Sequence, residues 1–185
     1  MTLFQQNRVI SGYNREHSLL KGTGMIDQLL PRIVDASGGD AYWFLNNLEV
    51  VKATSASTGG AYSLLYHISP PGGATPYHLH HEEDEAFYIL DGEFTFICDG
   101  KKTIAGPGGY VFLPRKIPHG LRCSGKTPGT MLILVIPGTG FVEMMIEMGV
   151  PATEYALPVP TAPDIARLTA LCQKYKIDIL GPLPD

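Results

Sequence analysis

A long apolar run is missing from this chain. The longest, Met131–Ile136, falls far short of the roughly 20 residues that cross a bilayer as a helix, so no membrane span is expected. A basic excess is missing too. With 14 Lys and Arg against 18 Asp and Glu, the net charge is −4 and the pI is near 5.8, which leaves no electrostatic case for nucleic acid or an anionic membrane surface as partner. Met1–Asn7 shows no basic stretch leading into an apolar one, and therefore no secretory leader is expected. Cysteine is scarce: Cys98, Cys123 and Cys172 are 3 in number and lack paired metal spacing. Reduced thiols in a cytoplasmic protein fit that usage better than a disulfide framework. Internal repeats and low-complexity tracts are also lacking, and 185 residues suffice for one well-buried core with extensions.

What the chain does have is turns. Thr58-Gly59-Gly60, Pro70-Pro71-Gly72-Gly73, Asp91-Gly92, Asp99-Gly100, Gly106 to Gly109 and Gly125 to Gly129 punctuate short β-like runs between Tyr42 and Ile136. Many short strands with frequent turns predict an all-β sandwich or barrel over residues 40–137. Asp99-Gly100 reads as a two-residue hairpin turn, because glycine tolerates the positive φ needed there. Residues 1–39 read as an N-terminal arm, with a short helix at Met25–Leu30 stopped by Pro31 and a loop at Ser37-Gly38-Gly39, suited to packing on the barrel or on a second subunit. Residues 138–185 read as a C-terminal helical extension packed on the barrel. Phe141, Met144, Met145 and Met148 follow helical spacing up to Gly149-Val150-Pro151, and a second helix runs from an Asp164 cap through Tyr175. The methionine stripe reads as core packing, with a lid over the barrel mouth as the alternative.

The chemistry concentrates between Gly72 and His119. Gly72 is followed by five residues, His78-Leu79-His80, four residues, Glu85, six residues and Gly92, and His119 closes Pro114-Arg115-Lys116-Ile117-Pro118-His119. In a strand, residues two apart share a side, so His78 and His80 project together while Tyr77 and Leu79 face away. Glu85 opens a returning strand on which Phe87 and Ile89 share its face. His119 comes from another strand, and only a closed or strongly curved sheet brings all four together. Imidazole and carboxylate suit iron, nickel, manganese, cobalt, copper or zinc, and no thiolate favours a closed structural zinc site. Strand parity places Phe87, Ile89, Phe94, Phe96, Ile117 and Leu121 on the inner side, with Cys123 able to face the same space, as an apolar substrate pocket. His81 lies on the opposite parity and reads as a surface residue. His67 precedes a Ser-Pro-Pro turn and reads as structural, His17 lies in the arm, and Glu82, Glu83 and Asp84 read as a solvated acidic turn.

The segment from Gly72 to Gly92 resembles the first motif of the cupin superfamily at every signature position, and Gly108 to His119 resembles the second, with Gly108, Pro114 and His119 in register. Two positions depart: Lys116 stands where the second motif usually has glycine, and Cys123 where it usually has asparagine. Neither is a metal ligand in the family. More widely, Thr58-Gly59-Gly60, Pro114-Arg115, the Phe141 helix and Ile179-Leu180-Gly181-Pro182 make the chain similar to single-domain bacterial cupins described as quercetin 2,3-dioxygenase-like. The resemblance implies a double-stranded β-helix, the cupin jelly-roll barrel, in which His78, His80, Glu85 and His119 bind one divalent transition metal. Iron or nickel are its first candidates. It also implies a dioxygenase that cleaves a flavonol or similar enolic aromatic with dioxygen, with Glu85 as ligand and catalytic base, and a homodimer, since such barrels often pair. The barrel hosts many activities. A non-redox metal-dependent isomerase or cyclase, or a non-catalytic small-molecule binding protein, would keep the same residues.

Overall fold

The computed structural model describes residues 29–185, so the Met25–Leu30 helix and His17 lie outside or across the edge of the described residues. Twelve strands and three helices follow one another: β1 (Asp40–Phe44), β2 (Asn47–Ala53), α1 (Ser55–Thr58), β3 (Ser63–Ser69), β4 (Tyr77–His80), β5 (Asp84–Asp91), β6 (Phe94–Cys98), β7 (Lys101–Ala105), β8 (Tyr110–Leu113), β9 (His119–Cys123), β10 (Gly129–Ile136), α2 (Phe141–Met148), β11 (Val150–Pro151), α3 (Ile165–Lys174) and β12 (Ile177–Gly181). They form two antiparallel sheets, a 7-stranded one in the order β11-β1-β2-β3-β10-β5-β8 and a 5-stranded one in the order β12-β4-β9-β6-β7. This is the jelly-roll sandwich expected of the sequence. Among the described residues no helix is long and apolar enough to cross a membrane.

Alternation along the strands builds the interior. On β3, Ser63, Leu65, His67 and Ser69 are buried and the intervening residues less so, and β10 repeats the pattern with Met131, Ile133 and Val135 inside. On β5 the inward series is Glu85, Phe87 and Ile89, while Tyr88 and Leu90 face out. Burying a large apolar side chain contributes about 1.5–3 kcal/mol, so a one-residue slip of β5 would expose two such chains and bury a tyrosine. Register is thereby fixed, and with it the inward aim of Glu85.

Turn chemistry does the rest. Asp99 and Gly100 have φ of 49° and 73°, the positive pair of a hairpin that joins β6 to β7. Gly92 approaches Gly129 so closely that a Cβ would lie 2.7 Å from its Cα. The β1–β2 turn uses Leu45 and Asn46 at φ 49° and 66°, with no glycine to announce it. Lys116 keeps φ at 65°, so a lysine holds the left-handed conformation for which the related motif uses glycine, and its amide donates to the His80 carbonyl at 2.7 Å.

The C-terminal segment corrects the expectation of a helical extension. Besides α2 and α3 it contributes a strand to each sheet: β11 pairs with β1, and β12 pairs with β4, setting Ile177 opposite His80 and Ile179 opposite His78. Strand β4, a short edge otherwise open to solvent, needs that cover because its unpaired N–H and C=O groups would remain exposed.

Candidate metal centre

Strand pairing assembles the centre. His78 and His80 project from β4, His119 stands opposite His78 across the β4–β9 pair, and Glu85 reaches in from β5 of the other sheet. One ligand atom from each of the four lies within 4.8 Å of all the others. The imidazoles crowd together, with centroids 5.1 Å apart for His78 and His80, 4.7 Å for His78 and His119, and 5.7 Å for His80 and His119.

Each ring is held by its outer nitrogen. The Nδ1–H of His78 donates to the Pro76 carbonyl and that of His119 to the Ile117 carbonyl, both at 2.8 Å, while His80 Nδ1–H donates to Glu83 Oε2 at 3.3 Å. A carbonyl only accepts, so Nδ1 of His78 and of His119 carries a proton, and in the neutral tautomer such a ring turns an Nε2 lone pair inward. For His119 that lone pair meets Glu85 Oε2 at 3.0 Å, and for His80 the same oxygen lies at 3.6 Å. In that tautomer acceptor faces acceptor, and a proton or a metal cation between them relieves the repulsion. His80 Nε2 is buried and has no hydrogen-bond partner, an orphan that a coordinate bond would satisfy. The donor set therefore fits a divalent transition metal, with outer partners that fix each ligand's tautomer.

Electrostatics points the same way. Burial and the neighbouring His80 and His119 lower the His78 pKa to about 3, so the ring is neutral and free to donate its lone pair. Burial pushes the Glu85 carboxyl up, but the facing His80, His119 and His78 outweigh it and hold the group at about 2. Glu85 is ionised.

Glu83 is a site residue that the sequence did not reveal. Read as part of a solvated turn, it is only 2% exposed and also accepts from the Phe141 backbone N–H at 3.0 Å, joining the first turn of α2 to the back of His80. Its neighbours behave otherwise: Asp84 pairs with Arg115, and Glu82 and Lys176 form a surface pair. His81 is exposed and pairs with Asp178.

Beside the cluster lies a cavity of about 70 Å³. Of the expected pocket residues, Phe87 and Leu121 line it, whereas Ile89, Phe94, Phe96, Ile117 and Cys123 do not. Parity placed Ile89, Phe94, Phe96 and Cys123 correctly inside, but they fill the core away from the cavity; Phe96 packs on Phe87 with centroids 5.2 Å apart and on Phe94 at 6.5 Å. Ile117 lies in the loop before β9 and contributes its carbonyl. The remaining wall comes from Phe44, Met131, Phe141, Met144 and Ile177 among others. Long-range packing assigns those places, with Phe141 set 5.6 Å from the His80 ring. The methionine helix is thus both core and cavity wall.

Comparison with known proteins places this architecture. Residues 65–136 match the family model described as the cupin domain. That matched span has the cupin fold. Over 106 residues, 57% of the chain, it is 28% identical to a quercetin 2,3-dioxygenase of Bacillus subtilis, and over 75 residues, 40% of the chain, it is 32% identical to an uncharacterized protein of Methanocaldococcus jannaschii. The matches span 30% and 60% of those relatives' own lengths. Among solved structures, a predicted oxalate decarboxylase of Thermotoga maritima superposes with a TM-score of 0.53 at 24% identity, covering 57% of this chain and 98% of that one. That likeness shows the cupin fold.

Proposed function

We propose that His78, His80, Glu85 and His119 hold one divalent transition metal and that this cupin is a dioxygenase acting on an enolic aromatic substrate. The observation that carries the reading is the convergence of three inward imidazole nitrogens and an ionised carboxylate, all outer nitrogens already engaged, at the wall of an apolar cavity. A bound divalent ion supplies Lewis acidity and, if redox-active, one-electron chemistry toward dioxygen.

The chain's own residues supply the rest. Oε2 of Glu85 faces the histidines, which leaves Oε1 to take the proton of an enol hydroxyl entering the cavity. Phe87, Leu121 and Met131 give the body of the substrate an apolar bed and keep water from the reacting carbons. A cavity of about 70 Å³ lies well below the roughly 300–1,000 Å³ of sites for drug-sized ligands. Within the expected class, compact single-ring enols therefore need the smallest opening of Phe141 and α2, and a three-ring flavonol a far larger one.

The test is oxygen uptake by protein reconstituted separately with iron, nickel, manganese, cobalt, copper and zinc, with quercetin and the one-ring α-hydroxyenone kojic acid as probes. Uptake that requires both a redox-capable metal and one of these substrates supports the reading. Glu85→Gln is expected to lower that rate by about 10²–10⁴-fold as a lost general base. Loaded protein that consumes no oxygen with either probe would overturn the dioxygenase assignment.

A further inference from the structure

The cavity has a second polar wall, and the metal chemistry does not use it. Glu49 on β2 and His67 on β3 are cross-strand partners, each 3% exposed and joined by a 2.7 Å hydrogen bond between His67 Nδ1 and Glu49 Oε1. Both line the same cavity as the histidine cluster, and so does Asn47. Each keeps one buried atom without a hydrogen-bond partner: Glu49 Oε2, His67 Nε2 and Asn47 Oδ1. An unpaired buried polar group costs about 1–3 kcal/mol. A wall that only had to fill space would carry Leu or Phe, as the adjoining Phe44, Phe87 and Met131 do.

The chemistry of the three free atoms is uniform. A carboxylate only accepts, so His67 Nδ1 donates to it, and in the neutral tautomer that leaves Nε2 as an acceptor. Glu49 Oε2 and Asn47 Oδ1 are acceptors as well. What this wall lacks is a donor. It stands on β2 and β3 of the 7-stranded sheet, whereas the three histidines stand on β4 and β9 of the 5-stranded one, and apolar side chains line the same cavity.

We propose that Asn47, Glu49 and His67 form a distal subsite for a hydroxyl group, so that the substrate is a compact enol held at one end by the metal centre and donating a hydroxyl at the other. The subsite rests on the reading of the histidine cluster as a chelating metal centre. His67 and Glu49 are binding residues in this account, selecting for the hydroxyl and orienting the ring.

Zinc-loaded protein, which is redox-silent, allows binding to be measured without turnover. The probes are kojic acid and allomaltol, two pyranones with the same α-hydroxyenone, which differ only in a hydroxymethyl against a methyl group on the far side of the ring. Isothermal titration calorimetry is expected to show kojic acid binding at least about tenfold more tightly, the size of one hydrogen bond to a charged buried partner. Replacing both partners by apolar groups, Glu49→Leu together with His67→Phe, is expected to bring the ratio to about one, with allomaltol affinity and zinc content as in the parent protein. Equal affinities in the parent protein would overturn the subsite, and that comparison needs no variant to fold. A preference that survives the double substitution would overturn its assignment to Glu49 and His67. If neither pyranone binds although zinc is loaded, chelation at the metal centre fails, and the functional reading falls before the subsite does.

Discussion

Glu83 offers a sharp test of the argument that the metal ligands are held from behind. It is 2% exposed, and its Oε2 accepts from His80 Nδ1–H at 3.3 Å and from the Phe141 N–H at 3.0 Å. Glu83→Ala leaves both donors unpaired, that of His80 buried and that of Phe141 partly so. At about 1–3 kcal/mol for each unpaired donor, unfolding free energy should fall by roughly 2–6 kcal/mol, a large part of the stability of a typical domain. Loss of an outer-shell partner to a ligating histidine typically weakens metal binding about 10–100-fold. Glu83→Gln keeps an oxygen that can accept both bonds and removes only the charge, so it should sit at the lower end of both ranges. Zinc affinity measured by competition with a chromogenic chelator, alongside urea unfolding of the metal-free protein, gives the two numbers. An alanine variant that unfolds earlier but binds zinc as tightly as the parent would refute the claim that Glu83 positions His80, and would reduce its role to anchoring α2.

Other perturbations separate the site from its scaffold. His80→Ala removes a ligand whose Nε2 has no other partner; bound metal measured by elemental analysis should fall to a small fraction of the parent's while far-UV circular dichroism keeps its β-sheet signature. Lys116→Gly relieves a left-handed residue at φ 65° and should raise stability by about 0.5–1 kcal/mol, the relief of strain less the entropy of a new glycine; a loss of stability in thermal unfolding would show that the lysine side chain matters there. The two-pronged Arg115–Asp84 pair, at 3.0 and 2.6 Å, holds the Asp84 carboxyl below its usual range. A lowered folded pKa means stability present above the unfolded value of about 3.9 and lost as pH falls through the folded one. Asp84→Asn should therefore lower the melting temperature at pH 7, and the gap to the parent should close below about pH 4; a gap that persists in acid would assign the effect to packing.

How much of this was legible beforehand follows the range of the interactions. Period-two alternation is local, so it was enough to aim His78, His80 and Glu85 and to put Phe87, Ile89, Phe94 and Phe96 inside. The Asp99-Gly100 turn was equally local, because positive φ at both residues is written in the residue types. Glycine-free turns such as Leu45-Asn46 carry no such mark, and Lys116 shows that a backbone conformation can outlast the residue that favours it.

The sequence by itself determined the sandwich and the inward ligand series on β4 and β5, since each depends on strand parity and turn position, while the resemblance to the cupin motifs named the distant histidine that joins them. Only the tertiary structure decided what surrounds that cluster. Whether an inward residue lines the cavity or fills the core depends on where the two sheets separate, which is why Phe87 and Leu121 reach the cavity and Phe94, Phe96 and Cys123 do not. Glu83 is buried because α2 closes over it, β4 is covered because β12 returns to it, and Glu49 meets His67 because β2 pairs with β3. Each of those contacts joins residues far apart in the chain or sets the burial of a polar group by what packs against it. Local pattern carries neither kind of information.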